Sequence, residues 1–415
     1  MKISVTPPVV NGSPGIRLGF LHGCVVAAYL LFPLTQAGGN IAIVIMAVAW
    51  FASGRPFRNA KAIAANPVNK SIALLLFLVL AGSLGRDIPT EDVLRALSKY
   101  AKLLLIPILF DLLDDQPKLR QRCTAAFLFA TIVIIVLTYG SLLLRGVGID
   151  TQDTRTRAVF ADYLVQSILM TVFMVLCVLQ VVENSSVRWK SAWSAAFVLA
   201  AGYVFYVSIG RTGIVMVIVA AAVGLCRVRA RWFLPSLALT FAVVTANVLN
   251  SEPMRERWNL AMTELRQADS DRMSSIGTRL YNFRTTAEMI AEKPILGHGT
   301  GSYRTKVCRY IVPPYNCASF NWHPHNQYLL FGAELGLPGL LAYCFVIVSL
   351  GAASRRITNT SHRFAFFAVV AMLAVDSLFN SPVWSARESE LFLLVIGLLG
   401  ASQTIPGKEA RHEGA

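Results

Sequence analysis

His323-Pro324-His325-Asn326-Gln327-Tyr328-Leu329-Leu330 is the stretch that decides how this chain is organised. Behind it lies a polar segment, residues 250–325, and ahead runs an apolar stretch from Tyr328 to Leu350. Two imidazoles at the mouth of an apolar helix, directly after a long polar loop, point to chemistry at a membrane surface. The rest of the chain agrees: 55% of its residues are hydrophobic and only 15% charged. Its apolar residues gather into blocks near the length that crosses a hydrocarbon core at ~1.5 Å per residue. Twelve can be traced, at roughly 17–35, 39–53, 71–84, 96–113, 123–145, 158–182, 191–209, 212–226, 232–249, 326–351, 363–380 and 386–402. The expected fold is an all-α polytopic membrane protein with about twelve transmembrane helices. Residues 1–249 carry the first nine, 250–325 form a loop domain with short helices, 326–402 carry the last three, and 403–415 are a tail.

The net charge of +15 suggests nucleic acid until its distribution is considered. Counted from a cytoplasmic N-terminus, the even-numbered connections hold Arg55, Arg58 and Lys61, then Lys118, Arg120 and Arg122, then Arg227, Arg229 and Arg231, then Arg355, Arg356 and Arg363. The short odd-numbered connections are nearly neutral or acidic, as at Asp87, Glu91 and Asp92. That alternation follows the positive-inside rule. It predicts cytoplasmic termini, places the 250–325 loop outside, and makes the bilayer rather than nucleic acid the partner.

Within that loop, helical spacing predicts helices over Met254–Gln267 and Thr278–Lys293, the second stopped by Pro294. The glycine-rich turn Leu296-Gly297-His298-Gly299-Thr300-Gly301 follows. Loop charge is mixed, ten Lys/Arg against seven Asp/Glu, as any solvated face would be. Arg279 is placed beside Gly277 at the first turn of the second helix, where helix-start amides and a guanidinium together suit an anion. A solvated arginine is the equal alternative on local sequence. Cys308 and Cys317 share the loop, and an oxidising compartment favours their pairing. The other five cysteines fall within or at the ends of apolar blocks, as small hydrophobes do.

Arg211, in Ser208-Ile209-Gly210-Arg211-Thr212-Gly213, falls between two apolar blocks with almost no connection. An ionisable residue there is functional by default, with snorkelling to headgroups as the alternative. Arg155 and Arg157 face the same side, so four arginines offer a seat for a lipid-linked diphosphate. Glu334 and Asp376 read more simply as helix-packing groups. Asp269-Ser270-Asp271 is a weak metal signal, and neither Walker, Rossmann nor zinc-spaced motifs occur in the sequence.

His325-Asn326, nine residues, then Gly336-Leu337-Pro338-Gly339 resembles the signature of the bacterial O-antigen ligases and their relatives, the O-antigen polymerases and protein O-oligosaccharyltransferases. Gly277-Thr278-Arg279, Pro294-Ile295-Leu296-Gly297-His298-Gly299 and Gly210-Arg211-Thr212 are similar to other patterns of the group. The resemblance implies a multi-pass enzyme of the bacterial inner membrane, with its site on the periplasmic face. It implies glycan transfer from undecaprenyl diphosphate to a sugar hydroxyl of lipid A-core, without cofactor or metal. His325 would be the general base, and Arg211 and Arg279 would stabilise the leaving diphosphate. Arg157, Arg284, His298, His323 and Asn326 would be substrate-binding groups. No residue suits a double displacement, so inversion at the anomeric carbon is expected.

Two other readings stay open. An O-antigen polymerase would use the same donor with a second carrier-linked glycan as acceptor. A lipid or solute transporter would also suit many helices and a basic pocket, but it predicts inverted repeats, which the sequence does not show.

Overall fold

Apolar blocks become helices wherever the computed structural model describes them, at residues 14–85, 87–146, 158–159, 162–208, 210–225, 252–267 and 272–401. Among these residues the chain is all-helical, without strands. Helix α1 spans Pro14–Leu34, α2 Gln36–Ala52 and α3 Pro67–Gly82. The expected block at 96–113 is instead broken: amphipathic α4 (Thr90–Tyr100) passes through a 3-10 turn into apolar α5 (Leu105–Leu113). Glu91 and Asp92 in the first turn after Pro89 mark that earlier start. Helices α6 (Pro117–Gly146), α7 (Tyr163–Glu183), α8 (Val187–Gly202) and α9 (Thr212–Leu225) follow. The expected block at 232–249 lies outside the described residues. Next come α10 (Glu252–Arg266), α11 (Ser275–Glu292), α12 (Gln327–Ala353), α13 (Thr360–Asp376) and α14 (Ala386–Gly400).

Four described helical stretches are long and apolar enough to cross a membrane: Pro117–Leu144, Tyr163–Glu183, Val187–Val207 and Gln327–Arg356. Shorter apolar helices occupy Leu18–Leu34, Gln36–Ala52, Pro67–Gly82 and Thr212–Leu225. Exposed Val48, Phe77, Phe129, Val136, Val198 and Val348 give the bundle an apolar rim, as a lipid-facing surface requires. At its centre stands α14, buried at every residue from Glu388 to Gly400. A helix apolar all round must be enclosed, and α5, α13 and α1 enclose this one. The Cβ that Gly397 lacks would lie 2.4 Å from a Leu109 side-chain carbon, so α14 and α5 meet closely there.

Helix α12 is two helices joined at a break. Gly336 has φ 68°, a left-handed conformation available to glycine and costly for other residues. Pro338 follows two residues later, where the helix restarts and a missing N–H does little harm.

Candidate functional site

The break in α12 has a partner. Gly297, at φ 60°, lies so close that a Cβ on it would be 2.4 Å from the Glu334 carbonyl oxygen. A Cβ on Gly336 would fall 2.3 Å from the Ile295 carbonyl oxygen. Backbone hydrogen bonds stitch the contact: His298 N–H to Ala333 O at 3.0 Å, Gly299 N–H to Glu334 O at 2.8 Å, and Leu337 N–H to Pro294 O at 2.7 Å. The carbonyls freed by the break are satisfied by the glycine-rich turn. Thr300 then ties the turn to the end of α3, its N–H donating to Gly82 O and its hydroxyl to Val79 O. Two glycine motifs separated in sequence form one interlock.

That interlock holds the start of α12, where the histidines are. Asn326 is the N-cap, its side-chain oxygen accepting from Leu329 N–H at 2.9 Å. Its amide nitrogen donates to Leu378 O at 3.1 Å. His325 immediately precedes the cap at φ 56°. A β-carbon-bearing residue there stores ~1–2 kcal/mol of strain, and its surroundings must hold it. One restraint is direct: His325 N–H donates to His323 Nδ1 at 3.1 Å. This leaves His323 Nδ1 unprotonated. The two rings are 4.3 Å apart between centroids. Burial and the Arg279 guanidinium lower the His325 pKa to about 4. Burial, His325, Lys99 and Arg279 push His323 well below its ordinary value. Both imidazoles are therefore neutral near pH 7, as acceptance of a proton requires.

Arg279 is on α11, whose N-cap is Ser274, its hydroxyl accepting from Gly277 N–H at 3.1 Å. The helix thus starts earlier than the sequence predicts, and Arg279 lies beyond its first turn. Its guanidinium donates to Phe379 O at 3.2 Å and to Ser275 Oγ at 2.7 Å. Arg211 follows the end of α8, which closes with a π-turn over Tyr203–Val207. Gly210 and Gly213 allow the return strand of chain to pass close to Tyr163 and Ser167. Arg211 pairs with Glu264 of α10 at 2.8 Å. Burial acts most on Arg279, and Tyr163, Arg211, Glu264 and Glu388 are the charged or ionisable groups near enough to act on it.

Residues 195–344 match a family model described as O-antigen ligase. They include Arg211, Arg279, both histidines, the Gly297 turn and the break at Gly336. That segment is similar to the O-antigen ligase family. No curated protein matches it.

The expected site residues separate into groups. His325, His323, Arg279 and Arg211 fall in one neighbourhood. Asn326 is adjacent to them in the chain and caps the helix. His298 is buried, its Nε2 2.8 Å from Met289 O, with Glu292, Lys293 and Lys306 as charged neighbours. Arg284 is exposed on α11, and five residues at ~100° each turn it well away from Arg279. Arg155, Arg157 and the Asp269-Ser270-Asp271 pair lie outside the described residues. Glu334 accepts from Tyr100 Oη at 2.7 Å, and Asp376 from Asn380 Nδ2 at 2.7 Å, which suits their packing reading. Cys308 and Cys317 form a disulfide.

Sequence reasoning missed two contributors. One is the turn Ser377–Trp384. It supplies the carbonyls that hold Arg279, Asn326 and the Gln327 amide, while Gln327 Oε1 accepts from Val383 and Trp384 N–H. Asn380-Ser381-Pro382 signals a turn, but nothing local says what the turn touches. The other is Lys99, whose ammonium reaches Trp384 O at 2.7 Å beside the His323 ring.

Proposed function

We propose that this protein is an O-antigen ligase. It transfers a glycan from undecaprenyl diphosphate to a sugar hydroxyl of lipid A-core, at the periplasmic face of the inner membrane. The observation that carries this reading is a neutral, half-buried His325 beside the Arg279–Arg211 pair, inside the segment that matches the family. His325 takes the proton of the acceptor hydroxyl as that oxygen bonds to the anomeric carbon. The bond from that carbon to the phosphate oxygen breaks on the opposite face, which inverts the centre, and the diphosphate departs with the electron pair. Arg279 and Arg211 balance the leaving charge, so no metal is required. The donor displaces Glu264 from Arg211 on entry. Asn326 and the Gly297–Gly336 interlock fix the base; His323 orients it through the His325 N–H.

The test is reconstitution of purified protein with carrier-linked glycan and lipid A-core, with and without EDTA. Glycan joined to lipid A-core in EDTA supports the reading. Elongated carrier-linked glycan would identify a polymerase, transfer only with added magnesium or manganese would return the metal to Asp269-Ser270-Asp271, and no bond formation would favour a transporter.

A further inference from the structure

Trp322 is a large apolar side chain that is 56% exposed, one residue before His323. The chain on either side of it is anchored: Phe320 is buried against Tyr281 and Tyr315, and Pro324 is buried before the helix cap. The indole is thus presented on a fixed backbone. Lys99 Nζ lies 5.7 Å from the centre of its ring and 4.8 Å from that of Trp384, which is buried. Among the described residues Lys99 has one acceptor at hydrogen-bond distance, Trp384 O at 2.7 Å, and an ammonium carries three donors. The Trp384 indole Nε1 is itself buried, with no hydrogen-bond partner among the described residues.

Resting on the transferase reading above, we infer that Trp322 and Lys99 form the acceptor subsite, and that it takes a sugar ring bearing an anionic group. The charged groups are ordered through the site. Arg211 neighbours Arg279, Arg279 neighbours both imidazoles, and Lys99 neighbours His323. A donor diphosphate belongs at the guanidinium end, where two cations act together. The attacking hydroxyl must approach His325 from elsewhere, and the His323 side offers a flat apolar face with a cation at its edge. The C–H face of a pyranose stacks on an indole, leaving its polar substituents at the rim. A carboxylate or phosphate on that ring meets Lys99 in a charge-assisted hydrogen bond.

The experiment measures acceptor and donor KM separately in detergent-purified, folded variants. One acceptor is native lipid A-core; the other is the same glycan with phosphates removed and carboxylates reduced. Trp322→Ala is expected to raise acceptor KM about tenfold with both acceptors, with donor KM within about twofold. Trp322→Tyr keeps a stacking face and should recover most of the loss. Lys99→Met is expected to raise KM about tenfold for the native acceptor only. Should Trp322→Ala fail to fold, the Lys99→Met comparison still decides. Unchanged acceptor KM in both variants, or an Lys99→Met effect equal for both acceptors, overturns the subsite. So does an effect confined to donor KM, the behaviour of an indole that merely anchors the protein at the membrane interface. If the unaltered protein forms no bond at all, the transferase reading fails instead.

Discussion

Arg211 and Glu264 are joined by an ion pair 2.8 Å long, between the short turn after α8 and the helix α10. The guanidinium proposed to receive a diphosphate already holds a carboxylate, so on this account donor binding would be an exchange of anions. Glu264→Gln removes the competitor and leaves Arg211 in place. The pair is partly exposed, Arg211 more than Glu264, and such pairs are worth up to ~1 kcal/mol, so donor KM should fall by up to about fivefold. Donor titration of the variant checks this. A rise in KM would instead make Glu264 a residue that positions Arg211.

The pH dependence follows from the lowered His325 pKa. An imidazole moved from ~6.5 to about 4 stays neutral, and able to accept a proton, throughout that interval. The acid limb of kcat/KM for donor, which reports the free enzyme, should therefore fall near pH 4. Bound diphosphate offsets the Arg279 charge and raises the imidazole pKa, so the limb in kcat should move to higher pH. The folded state binds fewer protons than the unfolded chain between those pKa values. Stability from this group is thus full above pH 6.5 and lost as pH falls toward 4. A kcat/KM limb at 6.5 would contradict the burial.

Strain at His325 gives a stability test separable from activity. Glycine accepts φ 56° freely and alanine does not. His325→Gly should be about 1 kcal/mol more stable than His325→Ala, with both inactive. Thermal unfolding in detergent measures the difference; equal stability would show that the left-handed conformation relaxes.

The glycine interlock makes a paired prediction. Gly85 and Gly297 share a positive φ, 63° and 60°, but a Cβ on Gly85 meets nothing within 4 Å. Gly85→Ala should cost ~1 kcal/mol, the conformational term alone. Gly297→Ala must also push Cβ into the Glu334 carbonyl, so ~2–4 kcal/mol and most activity should be lost. Similar losses at both positions would rule out a special role for the close contact.

Much of this was legible in the chain, and the failures have physical reasons. Apolar periodicity located α6, α7 and α12, because a helix in lipid must be apolar over its length. The place of His325-Asn326 at the mouth of α12 was legible because a polar segment gives way there to an apolar run. Arg279 was misplaced within its helix because Ser274, rather than the residues beside Gly277, caps α11. The 96–113 block was misread because Tyr100 and Leu103 are buried apolar residues on either side of a change from α4 to the 3-10 turn. Glu264 and Lys99 were not legible, since their partners are fixed by tertiary packing. A carboxylate 53 residues from Arg211 looks like any solvated charge until the chain folds.

The central claim is that His325 is the base and the arginines are the anion seat. It is tested most directly by donor affinity and single-turnover transfer, measured side by side on folded His325→Ala, Arg211→Ala and Arg279→Ala. The account predicts that His325→Ala binds donor within about twofold of the unaltered protein while its single-turnover rate falls ~10²–10⁴-fold. Each arginine variant should lose both donor affinity and rate. A near-normal single-turnover rate in His325→Ala would contradict the account.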